Sequence, residues 1–254
     1  MGMKLSGKTV LITGASSGLG RGVAEALGGR GNRLILTARR EALLDEVAEG
    51  VRADGSECLV VPADATDSAA CKAVIDAGIE AFGPIDVALL NAGGGQAAPM
   101  GSTSCDDVTW MMRVNYDTLA NFLMPLIIHM KGRPTTIAHT SSPAGYFGLP
   151  KAGPYSAAKA AGRTLFDTAR LEVSGSGTTF VGLYPGFTAT PGLAEDEVPV
   201  KALIIPTERA VREMIRAMER GKAHHMFPRR IAWLMGLARA LPEPVRRFVL
   251  SRAG

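Results

Sequence analysis

Tyr155 and Lys159 stand four residues apart in the run Gly153-Pro154-Tyr155-Ser156-Ala157-Ala158-Lys159-Ala160-Ala161. Alanine favours helix and proline fits a first helical turn, so the run reads as a helix beginning near Pro154. Positions i and i+4 of a helix share a face, which sets a phenol beside an ammonium. A neighbouring cation favours the phenolate and draws a tyrosine pKa down from about 10 towards the working range of a general acid or base. Taken alone, the pair also fits an ordinary helix surface. Three further sites favour chemistry.

The first is Val10-Leu11-Ile12-Thr13-Gly14-Ala15-Ser16-Ser17-Gly18-Leu19-Gly20, where an aliphatic run enters glycines and then the helix-like Arg21-Gly22-Val23-Ala24-Glu25-Ala26-Leu27. Strand, glycine turn and helix N-terminus together make an anion site, because free N–H groups and the helix dipole face a phosphate. The spacing Gly-x-x-x-Gly-x-Gly departs from the Gly-x-Gly-x-x-Gly dinucleotide fingerprint, but its setting between strand and helix is the same. The second site ends the next apolar run, Arg33-Leu34-Ile35-Leu36-Thr37-Ala38-Arg39-Arg40. An NAD site places a carboxylate about 20 residues beyond the glycines, whereas an NADP site has an arginine nearby for the 2′-phosphate. Here that place holds Ala38, Arg39 and Arg40 and no acid. Arg39 can offer its guanidinium fork to phosphate oxygens and carries the weight; Arg40 reads equally as a solvated residue at a helix start. The cofactor reads as NADP(H). The third site is Ile137-Ala138-His139-Thr140-Ser141-Ser142-Pro143-Ala144-Gly145, an apolar strand ending in hydroxyls. The gap from Ser142 to Tyr155 lets the strand end return through a loop to the Tyr155 helix.

With these elements the chain resembles the short-chain dehydrogenase/reductase family. The matching pieces are Thr13 to Gly20, Asp64, Asn91-Ala92-Gly93-Gly94, Asn115, Ser142, Tyr155-x-x-x-Lys159 and Pro185-Gly186, in the family's order and spacing. The last 50 or so residues match only loosely, and Leu90 stands before Asn91 where the family has a second asparagine. The resemblance implies a Rossmann-type α/β fold, a doubly wound parallel sheet of about seven strands in the order 3-2-1-4-5-6-7. It implies that Tyr155 exchanges a proton with the substrate oxygen and that Ser142 hydrogen-bonds that oxygen. It further implies that Lys159 holds the nicotinamide ribose and that Asn115 supports a proton relay. Carried over in the same way, the cofactor contacts are Gly14, Ser16, Ser17, Gly18, Leu19, Gly20, Arg39, Asp64, Ala65, Asn91, Ala92, Gly93, Tyr155, Lys159, Pro185, Gly186, Thr188 and Thr190. Asp64 would bond the adenine amino group; without the resemblance it reads as a helix-capping Asp. A homodimer or homotetramer is implied too.

The elements that must position these residues are legible in the pattern. Apolar strand-like runs near 8–13, 33–38, 57–61, 85–90, 134–141, 178–184 and 222–227 alternate with helix-length segments. Such alternation argues βαβ units with helices on both faces of a parallel sheet. No charge run, repeat or Ser/Pro-rich linker divides the 254 residues, so 1–254 reads as one domain, with a variable substrate lid at about 190–205. Cys58, Cys71 and Cys105 form no Cys-x-x-Cys pair, which suits a reduced, cytoplasmic protein, and no N-terminal apolar run marks a signal peptide. His224 and His225 lack metal-site companions and read as rim residues; no metal is expected.

Pocket candidates are Gln96, Pro143, Tyr146, Phe147 and Phe187, a mostly apolar set that favours a hydrophobic ketone or aldehyde over a small polar acid. The same site would oxidise a secondary alcohol in the reverse direction. A non-catalytic NADP-binding regulator is the reading from another class; it has no need of Ser142, Tyr155 and Lys159 together. Residues 201–254 hold 12 Lys/Arg against 4 Asp/Glu, and 229–254 mixes arginines with apolar residues. This segment is too short and too broken by Pro242 and Pro244 to span a bilayer. Packing on its own domain or a sister subunit is the favoured reading, and lying on an anionic membrane surface the alternative. No aromatic-interleaved basic patch points to nucleic acid.

Overall fold

In the computed structural model, residues 2–173, 175–193 and 201–251 are described, the side chains of 249–251 excepted. The larger sheet contains β1 (Thr9–Thr13), β2 (Arg33–Thr37), β3 (Glu57–Val60), β4 (Val87–Leu90), β5 (Thr135–Thr140), β6 (Thr178–Pro185) and β9 (His224–Phe227). Their order is β3-β2-β1-β4-β5-β6-β9, all parallel, which is the seven-strand order the family resemblance implied. A separate two-stranded piece pairs β7 (Thr188–Ala189) with β8 (Ile205–Pro206).

Successive residues of a strand point to opposite faces, and here both faces are covered, so β4 is apolar throughout and β5 is buried throughout, its Thr135, Thr136, His139 and Thr140 included. Val10, Ile12, Leu34, Leu36, Val87 and Leu89 meet α1 (Gly18–Gly28), α2 (Glu41–Ala53) and α7 (Thr207–Glu219) on one side. Leu11, Ile35, Ala88, Leu90 and Ile137 meet α3 (Ser68–Phe82), α5 (Thr118–Met130) and α6 (Gly153–Glu172) on the other. The remaining helices are α4 (Cys105–Met112), α8 (Arg229–Ala240) and α9 (Glu243–Ser251). Parallel strands all end at one edge, so the segments after β1, β2, β4, β5 and β6 collect there, where open α/β sheets hold ligands. Part of the lid expected at 190–205 lies outside the described residues. Its flanks are ordered by Thr190, whose amide donates to the Thr188 carbonyl at 2.7 Å, and by Ile205, whose amide donates to Phe187 at 3.0 Å.

Candidate active site

α6 begins where the proline and alanine run placed it, with Pro154 in its first turn, and carries Tyr155 and Lys159. Lys159 is buried, 5% exposed, while Tyr155 is half-buried. Lys159 Nζ donates to the carbonyl of Thr140 at 3.3 Å and lies 5.5 Å from the centroid of the Tyr155 ring. Ser142, just beyond β5, hydrogen-bonds Tyr155. Its Oγ also accepts the Ala144 amide at 3.2 Å, opening the short helical turn Pro143–Tyr146.

The expected lowering of the Tyr155 pKa by Lys159 is corrected by this geometry. Burial pushes the phenol up, opposed by its hydrogen bond with Ser142. The ammonium lies over the ring, and burial draws its own pKa down to about 8. His139, buried in β5, turns Nδ1 to the Leu90 carbonyl at 3.3 Å. Burial, and then the charge of Lys159, draw its pKa down to about 3, so the imidazole is neutral.

Asn115 arrives by a route the sequence pattern did not foretell. Residues Arg113–Asp117 form a π-turn, in which Thr118 N–H reaches back to Arg113 O. Such a wide turn disturbs the helical ladder, and the Asn115 side chain uses the result: Nδ2 donates to Met111 O at 3.1 Å and to Gly94 O at 2.7 Å. The Gly94 amide returns a bond to Oδ1 at 3.3 Å. Gly93 is the meeting point of this group. A Cβ there would stand 2.9 Å from Asn115 Oδ1 and 3.4 Å from Lys159 Nζ. The next glycine but one, Gly95, runs against the Tyr155 ring. Ser142, Tyr155, Lys159, Asn115 and the Asn91–Gly94 turn thus share one end of the sheet.

The glycine loop fits a phosphate-bearing cofactor. Gly14 and Gly18 have φ of 65° and 56°, which a side chain would strain. A Cβ at Gly20 would run into the Gly14 carbonyl and stand 2.7 Å from Asn91 Nδ2, so glycine is required for α1 to approach the strand. Ser17, the residue capping α1, makes no side-chain cap bond, and the first turn holds no acid. The N–H groups of that turn therefore face outward with the positive end of the helix dipole. Leu19 is partly buried against the core, and Thr190 packs at 3.5 Å from where a Gly18 Cβ would stand. Thr13, which opens the matched loop but was given no contact of its own, accepts the amides of Asn91 and Ala92 with Oγ1 at 2.9 and 3.0 Å and joins the two strand ends.

Arg40, rather than Arg39, touches this loop: its guanidinium donates to Ser16 Oγ at 3.1 Å and to Ser17 Oγ at 2.8 Å. These residues, with Gly18 and Arg21, line a groove of about 680 Å³ reaching α7. Arg39 is exposed. Asp64 holds its carboxyl below the usual range, first through the Thr66 amide and less through the Arg39 charge. It closes a local turn, Oδ1 accepting from Thr66 N and Oγ1, each at 2.9 Å, whereas the cap of α3 is Asp67. Ala65 O accepts from Asn121 at 3.0 Å. Beyond Pro185, the Gly186 amide donates to Phe227 O at 2.7 Å and the buried Thr188 donates from Oγ1 to Gly186 O at 3.2 Å.

Of the pocket candidates, Gln96 is exposed, Pro143 buried and Phe187 half-buried. Two are already engaged. The guanidinium groups of Arg163 and Arg239 lie 4.7 and 5.2 Å from the Tyr146 ring centroid. That of Arg246 lies 5.7 Å from the Phe147 ring centroid. His224 bonds Tyr184 through Nδ1 at 3.0 Å and His225 meets Glu213 at 2.9 Å. Among the described residues no cluster of His, Cys, Asp and Glu could hold a metal ion.

The sequence model of the short chain dehydrogenase family matches residues 8–201. The chain belongs to that family. It is 34% identical over 250 residues to the 11-beta-hydroxysteroid dehydrogenase-like 2 protein of Arabidopsis thaliana, covering 95% of this chain and 80% of that one. It is also 34% identical over 256 residues to an uncharacterized oxidoreductase of Myxococcus xanthus, covering 95% and 96%. A short-chain type dehydrogenase/reductase from Mycobacterium marinum superposes with a TM-score of 0.80 at 23% identity, over 88% of this chain and 92% of that one. An alcohol dehydrogenase from Thermococcus sibiricus, solved with 5-hydroxy-NADP, does so with a TM-score of 0.78 at 24% identity, over 87% and 95%. This short-chain dehydrogenase is therefore an oxidoreductase of a family that binds a nicotinamide cofactor. The outward N–H groups of α1 and the loop glycines fit one.

Proposed function

We propose that this chain reduces the carbonyl of a hydrophobic ketone or aldehyde with NADPH, using Tyr155 as general acid. The observation that carries the reading is the convergence of Lys159 and Asn115 on Gly93, of Tyr155 on Gly95 and of Ser142 on Tyr155, at the sheet edge that also presents the glycine loop. When bound, the reduced nicotinamide supplies the hydride to the carbonyl carbon. Charge then develops on the oxygen, and donors already aimed at that point stabilise it. Ser142 Oγ donates to the oxygen, and Tyr155 delivers its phenolic proton. Burial keeps that proton on Tyr155 at neutral pH, as a general acid requires. Lys159 Nζ has donors beyond the one given to Thr140 and would use them on the nicotinamide ribose. Asn115 holds the Gly93–Gly94 turn beside that ammonium.

For cofactor choice, the end of β2 offers Arg39 and Arg40 and no carboxylate, which suits a 2′-phosphate. Asp64, Ala65, Asn91, Ala92 and the Pro185–Thr190 segment would surround the rest of the cofactor. The apolar candidates Pro143 and Phe187 support an apolar substrate, as does the likeness to a protein named for a hydroxysteroid. We take 1–254 as one domain acting in the cytoplasm, where its cysteines, all free, stay reduced. Homo-oligomerisation would cover Trp110, Met124 and Ile128, exposed on α4 and α5. Oxidation of a secondary alcohol uses the same groups in reverse. The decisive assay follows nicotinamide absorbance with NADPH or NADH and a panel of apolar ketones and aldehydes, and with NADP⁺ and the matching alcohols. Turnover is expected with NADPH on apolar carbonyls; turnover only with NADH, or with no member of the panel, would overturn the proposal.

A further inference from the structure

The C-terminal helices leave an apolar face uncovered. α8 buries only Ile231 and Ala238, seven residues apart on one edge. Trp233 and Leu237, one turn apart with Leu234 beside them, face away from that edge, and Trp233 is 69% exposed. On α9, Val245 is exposed too. Large apolar side chains grouped at a surface mark a place of interaction. Packing on its own domain, the first half of the reading favoured from sequence, therefore accounts for one edge of α8 and leaves the other to a partner.

The charges around this face select what covers it. Arg229, Arg230 and Arg247 are exposed, and among the described residues no carboxylate lies within ion-pair distance of them. The one acid of the stretch 229–251, Glu243, is bound to Arg246. Arg229 and Arg230 also sit at the positive end of the α8 dipole, where cations are disfavoured unless an anion approaches. Beside them, Arg209, Leu203 and Ile204 complete a cleft of about 350 Å³ that pairs cationic and apolar walls. A second copy is a poor occupant, since a two-fold contact would set this arginine-rich face against itself. An anionic bilayer surface is complementary in both respects: phosphates for the arginines, and an interfacial zone that tryptophan prefers. No helix among the described residues is long and apolar enough to cross a membrane, so the contact is with its surface.

We propose that the outer face of α8 and α9 docks on an anionic lipid surface, with Trp233, Leu234 and Leu237 entering the interface and Arg229, Arg230 and Arg247 meeting the headgroups. The inner side of the same helices reaches the Ser142 turn, through Arg239 over Tyr146 and Arg246 over Phe147. On the reductase reading, docking would hold the substrate side of the site against the phase in which apolar carbonyls dissolve; the docking itself does not depend on that reading.

The test uses the full chain and sedimentation with vesicles of phosphatidylcholine alone or mixed with phosphatidylglycerol. Sedimentation is expected with the mixed vesicles only, and release as salt is raised, because screening weakens the arginine contribution. Changing Arg229, Arg230 and Arg247 together to Gln should lower partitioning about 100-fold, at about fivefold for each arginine. Trp233→Ser with Leu237→Ser should abolish it. Independently of those variants, Trp110→Phe leaves Trp233 as the one tryptophan, and its emission should shift to the blue on mixed vesicles. Failure of the full chain to sediment at low salt, or sedimentation unchanged in the Trp233/Leu237 variant, would overturn the proposal. So would a lipid-free oligomer that the same variant splits, since a second copy would then be the occupant.

Discussion

Lys159 is a cation in a site that offers it little water, and its replacement by methionine isolates what that burial costs. Burial draws its pKa from 10.5 to about 8. Below about pH 8 folded and unfolded chains both hold the proton, and the folded chain bears the full cost of an enclosed charge. Between about 8 and 10.5 the unfolded chain binds the proton and the folded chain does not, so raising the pH through this window removes the cost and favours folding. At about 1.36 kcal/mol per pH unit, the window is worth about 3 kcal/mol. Lys159→Met cannot contribute this gain. Thermal or urea unfolding of both proteins at several pH values should show the wild type improving relative to the variant by about 3 kcal/mol between pH 7.5 and 10.5. For a chain of this length that is a relative rise in Tm of roughly 6–12 °C. Cys58 and Cys71, pushed up to about 11 and 12 by burial, titrate alike in both proteins and cancel from the difference. Curves that run parallel across the window would refute the account of Lys159 as a buried, depressed lysine.

Other substitutions separate the remaining roles. Tyr155→Phe keeps the ring and removes the proton donor, so turnover should fall by about 10²–10⁴ while NADPH binding, read by fluorescence titration, is retained. Arg39→Ala and Arg40→Ala should each weaken NADPH roughly 10- to 100-fold with little effect on NADH if they hold the 2′-phosphate. Equal losses for both cofactors would remove the arginine concerned from that role. Arg239→Leu breaks the stack on Tyr146 at a stability cost of about 0.5–1 kcal/mol. If the stack positions the Ser142 turn, kcat should fall while cofactor affinity is unchanged, whereas loss of stability alone would leave kcat intact.

The strands were legible because a parallel sheet covered on both faces is built from short apolar runs, as in Val87 to Leu90 and Ile137 to Ala138, although β5 also buries Thr135, Thr136, His139 and Thr140. The strand order came from family resemblance, since spacing does not say which strands are neighbours. The Tyr155–Lys159 pair was legible because helical periodicity alone brings i and i+4 together. Local pattern failed where backbone geometry or distant chain decides. The π-turn at Asn115 shifts hydrogen bonds by one residue without any mark in composition. Whether Arg39 or Arg40 reaches Ser16 and Ser17 depends on the direction in which the chain leaves β2. Tyr146 and Phe147 were read as part of a mostly apolar pocket lining; the arginines that engage them come from α6, α8 and α9. The outward apolar face of α8 was hidden because apolar residues occur on both of its sides.

The same burial that disfavours charge on Lys159 explains how the site keeps its protonation states apart. His139 and Lys159 share one interior region, and a cation on either opposes a cation on the other. His139 gives way, at about 3 against about 8, because the imidazole is the weaker base and is deeply buried. The ammonium is thus the group that carries positive charge there at neutral pH, with the Thr140 carbonyl as its acceptor. Tyr155 stays protonated through burial, with Ser142 alone opposing. A phenol held protonated by burial beside a buried ammonium matches the general acid proposed above, which must keep its proton until an acceptor oxygen arrives.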